Sequence, residues 1–256
     1  MTTPCSTTTT RTRTTARFLL LGDSHAGCVG RAAQAADLPF VGGPVGSGRD
    51  FLGPFFDTGG TGGTEGTRGT GGTGGTESTG NGEITFRSPE AQRLYREFLD
   101  ALEVAALAGL PVPLVCTFGL SAHTVATRQN WDVHRDTHGT LPEEFLRSGL
   151  FAGLVRATVR GALAFYDHTA ALGLRVLAPL PPQRVPGMSD AQVFFAAQEV
   201  IRAELAARGV EIVDLRARVT DASGLQRPAF SQTDDTIHGN LAFGRLVVAE
   251  LLDRGL

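Results

Sequence analysis

Arg17-Phe18-Leu19-Leu20-Leu21-Gly22-Asp23-Ser24-His25 is the stretch from which the rest of the chain is read. A short apolar run ends on a glycine, and small residues from Ala26 to Ala36 follow. Such a run predicts a buried strand over 17–21, with a turn at Gly22 to Ser24 and a helix over 24–36. At a helix N-terminus the backbone N–H groups have no helical partner and can steady negative charge. A serine held there is a candidate nucleophile, provided a base can reach it. Far along the chain, Asp235-Thr236-Ile237-His238 offers an imidazole with a carboxylate beside it.

Outward from that stretch, strand and helix signals alternate. Phe40-Val41 begins a second short strand. Ser88-Pro89-Glu90 is a helix start, with a capping serine, proline in the first turn and an early acid. Ala91, Leu94, Tyr95, Phe98, Leu102 and Ala105 then share one helical face, which carries that helix toward Gly109. Val112 to Phe118 reads as a strand, and 142–172 as one long helix or two, closed by Gly173. Leu174 to Ala178 is the next strand, stopped by Pro179, Pro181 and Pro182. A helix over 190–208, a strand over 210–215 and a last helix from about 240 to 253 complete the series. Strands separated by helices predict a three-layer α/β/α sandwich on a mainly parallel sheet. In such sheets ligands bind beyond the carboxyl ends of the strands, where Ser24 falls.

Two segments stand outside this pattern. Residues 1–15 are polar and repetitive and read as a disordered tail. A Thr/Gly tract from Thr58 to Gly82 has almost no side chain to bury and reads as a surface insertion. A phosphate cradle would need Gly-Lys-Ser/Thr at a strand–helix junction, and the chain has no lysine. The remainder, 16–256, suits one domain. All 23 basic residues are arginine, and with abundant Ala, Gly and Thr this points to a GC-rich bacterial genome.

A net charge of −3 gives no electrostatic case for nucleic acid or an anionic membrane. No apolar stretch is long enough for a secretory signal or a membrane span, so a cytoplasmic location is expected. Cys5, Cys28 and Cys116 are odd in number and widely spaced, which argues against a disulfide framework; Cys28 and Cys116 read as core thiols.

Gly22-Asp23-Ser24-His25 resembles the first block of the SGNH/GDSL hydrolase superfamily, in its Gly-Asp-Ser-His form. Asp235-Thr236-Ile237-His238 resembles the family's last block, Asp-x-x-His, and Gly239 to Gly244 is similar to many bacterial members. The two blocks bracket 18–244. The family comprises esterases, lipases, carbohydrate deacetylases and some acyl transferases, on a flavodoxin-like three-layer fold. The resemblance implies that Ser24 attacks an acyl carbon, His238 takes its proton and Asp235 orients the imidazole; Asp234 fits the family spacing less well.

For the oxyanion hole the family supplies a glycine after the second strand, here Gly46 or Gly48, both of which also read as ordinary turn glycines. It also supplies an asparagine after the third strand. In Gly119-Leu120-Ser121-Ala122-His123 that position holds Ser121, which leaves Ser121 or His123 to donate. The function so implied is hydrolysis of a small acylated metabolite or sugar through an acyl-enzyme on Ser24. The alternatives are an acyltransferase with the same triad, or a catalytically weak binding protein on the same fold. A small-molecule acyl ester is the partner, no cofactor or metal is called for, and the sequence carries no signal of oligomeric state.

Seven other positions carry readings of their own. Asp132, His134, Asp136 and His138 alternate, and in an extended segment would share one face, as a metal site or as a solvated cleft rim. His168, beside Asp167, reads as structural. His25 reads as a local hydrogen-bonding residue, and Arg184 as a surface arginine or a contact for an anionic substrate.

Overall fold

In the computed structural model of the chain, residues 16–59 and 83–256 are described. The expected tail, and the Thr/Gly insertion apart from its first two residues, lie outside the described residues. Leu19–Gly22 forms strand β1, fully buried along its length. Its side chains alternate between faces as a strand requires. Leu19 and Leu21 join one hydrophobic cluster, while Phe18 and Leu20 join another on the opposite face. A strand that is apolar on both sides belongs in the middle of a covered sheet.

The sheet has five parallel strands: β1, β2 (Val41–Pro44), β5 (Leu114–Cys116), β6 (Val176–Pro179) and β7 (Glu211–Val213). Their spatial order is β2-β1-β5-β6-β7. β1 pairs on one side with β2, from Leu19 opposite Val41 to Gly22 opposite Pro44. On its other side Leu19 lies opposite Leu114 and Leu21 opposite Cys116. The chain therefore leaves β1 in one direction and returns to its far side, which opens a crevice between the carboxyl ends of β1 and β5.

Helices cover both faces. The larger cluster gathers α2 (Pro89–Ala101), α5 (Gly149–Thr158), α6 (Arg160–Ala171) and α7 (Ala191–Ala207) around a knot of aromatic rings, including Phe51, Phe55 and Phe118. The smaller cluster holds α1 (Ala26–Ala35), α8 (Arg216–Val219) and α9 (Leu241–Asp253). α1 and α9 approach closely because Gly244 has no side chain: a Cβ there would lie 2.3 Å from the Cys28 carbonyl oxygen. Short helices α3 (Ala122–Val125) and α4 (Glu143–Leu146) complete the set. Among the described residues, no helix is long and apolar enough to cross a membrane.

The expected α/β/α sandwich is the fold, with three local corrections. The α2 helix ends at Ala101 rather than near Gly109. Glu103 takes a left-handed conformation, φ 58°, while the N–H groups of Glu103 and Val104 bond back to Asp100 and Leu99; this cap stops the helix without a glycine. The 142–172 stretch is three helices, not one or two. The break at Val159 coincides with the Gly161 N–H donating to the Leu52 carbonyl at 2.9 Å, where a Cβ on Gly161 would strike the Gly53 carbonyl. Finally, β3 (Phe56–Thr58) and β4 (Ile84–Phe86) form an antiparallel pair at the two edges of the Thr/Gly tract, a hairpin not foreseen.

Candidate active site

β1 delivers Gly22-Asp23-Ser24-His25 to the crevice. The turn is closed by the Ala26 and Gly27 N–H groups, which donate to the Asp23 and Ser24 carbonyls at 3.0 and 3.1 Å. Asp23 is fully buried. Its carboxylate accepts from the His25 N–H at 3.0 Å, the Thr117 hydroxyl at 3.0 Å and the Ser121 hydroxyl at 2.8 Å. Three donors satisfy the buried charge, as a fully desolvated carboxylate requires, and they tie the turn after β1 to the chain leaving β5. Ser24 is left facing outward.

The 231–240 segment brings the imidazole of His238. Ser231 and Gly239 pair across a short loop, and the Asn240 side chain caps α9 by accepting from the Phe243 N–H at 3.1 Å. Asp235 accepts from the backbone N–H groups of Ile237 and His238 at 2.6 and 2.8 Å. Its other oxygen lies 2.6 Å from His238 Nδ1. His238 Nε2 lies 2.7 Å from Ser24 Oγ, across 214 residues of sequence. Burial acts to raise the Asp235 pKa, but the His238 ring and the two backbone donors outweigh it and hold the carboxyl at about 2. Hydroxyl, imidazole and ionised carboxylate thus stand in one hydrogen-bonded line. Asp234 is exposed and takes no part in that line.

A cleft of about 280 Å³ opens over Ser24, lined in part by Gly48, Arg49, Ser121, His123 and Thr236. Of the expected oxyanion residues, Gly48 is in this lining, and a Cβ there would lie 2.9 Å from Ser121 Oγ. Gly46 faces a different hollow and packs on Phe51. Gly119 also lies outside the cleft. It sits at φ 70° against Ala162, where a Cβ would come within 2.2 Å of that side chain, so its place is set by the turn after β5. Ser121 lines the cleft, but its only hydroxyl proton is directed to Asp23. The His123 ring makes no hydrogen bond among the described residues, and burial, with His25 nearby, lowers its pKa to about 4.

No family model matches the chain, and no curated protein matches it. Solved structures do align with it along most of its length. A GDSL-like lipase from Bacteroides thetaiotaomicron VPI-5482 is 14% identical, with 94% of this chain and 89% of that chain covered and a TM-score of 0.45. The lipase/acylhydrolase from Enterococcus faecalis is 13% identical, covering 93% and 94%, with a TM-score of 0.45. Axe2, an acetylxylan esterase from Geobacillus stearothermophilus, is 13% identical, covering 95% of each chain, with a TM-score of 0.44.

Two residues near the site behave otherwise than their sequence context suggests. His25 makes no local hydrogen bond through its ring. It is 4% exposed, both ring nitrogens are unpartnered, and the ring lies 5.0 Å from that of His238 and 6.0 Å from that of His123. Burial lowers its pKa. Arg184 neither floats at the surface nor lines the cleft: its Nη1 donates to the carbonyls of Gln232 and His238 at 2.9 and 3.0 Å, clamping the histidine loop. Asp23 and Thr117 were not singled out by sequence, although an acid between a strand-ending glycine and the candidate serine was a usable signal.

The 132–138 cluster is not assembled for a metal. Arg128–His134 is a 3₁₀ helix rather than an extended segment, so the alternating residues do not share a face. Asp132 pairs with Arg135, Asp136 accepts from Thr140, and His134 stacks on Phe145 at 4.5 Å. No group of three or more His, Cys, Asp or Glu among the described residues could hold a metal ion. His168 packs on Phe56 in the core-facing part of α6.

Proposed function

We propose that the chain is a serine acyl hydrolase of the SGNH/GDSL type, cleaving an ester of a small acylated metabolite through an acyl-enzyme on Ser24. The observation that carries this reading is the unbroken line from Ser24 Oγ through His238 to Asp235, at 2.7 and 2.6 Å, beside a cleft at the crevice between β1 and β5. Those distances are within the reach a nucleophile and its base need.

Ser24 Oγ attacks the acyl carbon as its proton passes to His238 Nε2. Asp235, ionised above about pH 2, holds the imidazole with its Nδ1–H inward and stabilises the cation that forms. The negative charge that gathers on the acyl oxygen meets the backbone N–H groups of Ser24 and Gly48. Neither has a partner among the described residues. His123 is the third donor. An imidazole with a pKa near 4 is neutral at pH 7 and gives a hydrogen bond through its N–H without acting as a base. When the tetrahedral intermediate collapses, the bond to the leaving oxygen breaks and His238 returns the proton to it. Water then attacks the acyl-enzyme by the reverse use of the same groups, releasing the acid and free Ser24.

Fluorophosphonate labelling tests the nucleophile directly. The wild-type protein should label, and Ser24→Ala and His238→Ala should not. Labelling that survives in Ser24→Ala, or is absent from the wild-type protein, would sink the reading. Hydrolysis of short p-nitrophenyl esters, with and without an added alcohol, separates transfer to water from transfer to an acceptor. An alcohol that raises p-nitrophenol release while lowering acid formation would make the chain an acyltransferase.

A further inference from the structure

Besides Ser24, five residues lining the cleft carry a hydroxyl, and all but that of Thr236 are committed as donors. Ser47 Oγ donates to Asp50 at 2.9 Å and Ser121 Oγ to Asp23 at 2.8 Å. The Thr124 hydroxyl donates to the Ser121 carbonyl, and that of Thr127 to the Thr124 carbonyl at 3.0 Å. A hydroxyl has one proton to give, so these four can meet a ligand only as acceptors. With His123 assigned to the reacting oxygen, the strongest donor left in the cleft is Arg49.

Arg49 stands on the turn Ser47–Asp50, closed by the Asp50 N–H donating to the Ser47 carbonyl at 3.0 Å. The neighbouring carboxylate is turned to Ser47, whose N–H and hydroxyl both donate to Asp50 Oδ2, at 2.7 and 2.9 Å. Its guanidinium has no hydrogen bond or ion pair among the described residues. No acidic side chain lines the cleft, and the buried Asp23 beneath it is already satisfied. An unpaired guanidinium beside a reactive serine, with no carboxylate facing it, is a site for an anion and recognises a carboxylate through paired N–H groups.

We infer that Arg49 forms an anion subsite and that the preferred substrate is a small ester carrying a carboxylate close to the scissile bond, an assignment that rests on the acyl-hydrolase reading of Ser24. The test compares kcat/KM for p-nitrophenyl acetate, for mono-p-nitrophenyl succinate with the charge on the acyl side, and for 4-acetoxybenzoate with the charge on the leaving side. One of the two anionic esters should exceed the neutral one at least tenfold, which identifies the side Arg49 serves. In Arg49→Gln the ratio of anionic to neutral ester should fall at least tenfold, and Arg49→Lys should recover part of it.

Equal kcat/KM for all three esters, or a ratio that Arg49→Gln leaves unmoved, would overturn the subsite. Calorimetric binding of monomethyl succinate to Ser24→Ala needs no chemistry and separates the two proposals. If no ester is cleaved yet that binding is present and lost on adding Arg49→Gln, the hydrolase reading fails and the subsite stands. If the binding is absent as well, the subsite falls with it.

Discussion

A hydroxyl has a single proton to give, and Ser121 gives its own to the buried Asp23. The consequence is a separation of duties that mutagenesis can read. Ser121→Ala should cost roughly 1.5–3 kcal/mol of stability, the range for a hydrogen bond to a charged group, visible as a lower urea midpoint. His123→Ala should act on turnover instead, lowering kcat by roughly 10²–10³ as removal of one oxyanion donor does. If Ser121→Ala instead lowers kcat that far with an unchanged urea midpoint, the assignment of the two residues is reversed. Asp235→Asn should reduce kcat by about 10⁴ while leaving the fold intact, since an amide cannot hold the imidazole in its working tautomer.

Among elements, the helices that follow the Ser24 and His238 segments hold each other. α1 begins two residues after Ser24 and α9 three residues after His238, and Gly244 lets them meet at the Cys28 carbonyl. Their separation therefore helps set the distance between Ser24 and His238. Gly244→Val should wedge the pair apart, lowering stability by roughly 1–3 kcal/mol through overpacking and reducing kcat more than it changes KM. Arg184→Ala removes the clamp on the His238 loop without touching the cleft. Steady-state kinetics should show kcat down by roughly 10–100-fold, the cost of a misplaced catalytic group, with circular dichroism unchanged.

This scale is also where the sequence was hardest to read. The α9 helix was legible almost to the residue because Asn240 caps it and its apolar face follows directly. The end of α2 was not, since Leu102 and Ala105 continue the periodicity and the cap that stops the helix is built on Glu103, a residue with no turn signature. The β3–β4 hairpin was hidden because its strands are three residues each and flank a tract of Thr and Gly. Ser24, Asp235 and His238 could be read from local blocks. Asp23's partnership with Ser121 could not, because it spans 98 residues and depends on the exit of another strand.

For the whole molecule, one buried and one half-buried imidazole set how stability depends on pH. Burial lowers the pKa of both His25 and His123, the latter to about 4, from 6.5. Between those values the unfolded chain binds protons that the folded chain refuses, so stability is full above about pH 6.5 and falls as pH drops through the window. Each unit of separation is worth about 1.4 kcal/mol. Asp235 does not share this window: its lowered carboxyl contributes stability above 3.8 that is lost only toward about 2. The urea midpoint should therefore fall from pH 7.5 to pH 5, and His123→Asn should flatten that slope. A midpoint that rises on acidification would contradict the neutral state of both rings. The two buried thiols should be silent across the same range. Burial pushes Cys28 up to about 11 and Cys116 up to about 12, so in a Cys5→Ser variant neither should react with Ellman's reagent until the protein unfolds.

The serine and the imidazole that meet at 2.7 Å are 214 residues apart in the chain. No local collapse can bring them together; the loop between them closes only when the β1–β5 crevice exists and α1 has docked on α9. Secondary structure forms on a far shorter timescale than such long-range contacts. During refolding, then, a returning helical signal says nothing about competence, and the ester cleavage proposed for Ser24 should be the last property to reappear. The same separation is a safeguard: a half-made chain or a loosened intermediate holds an ordinary serine, chemically quiet until the fold is finished.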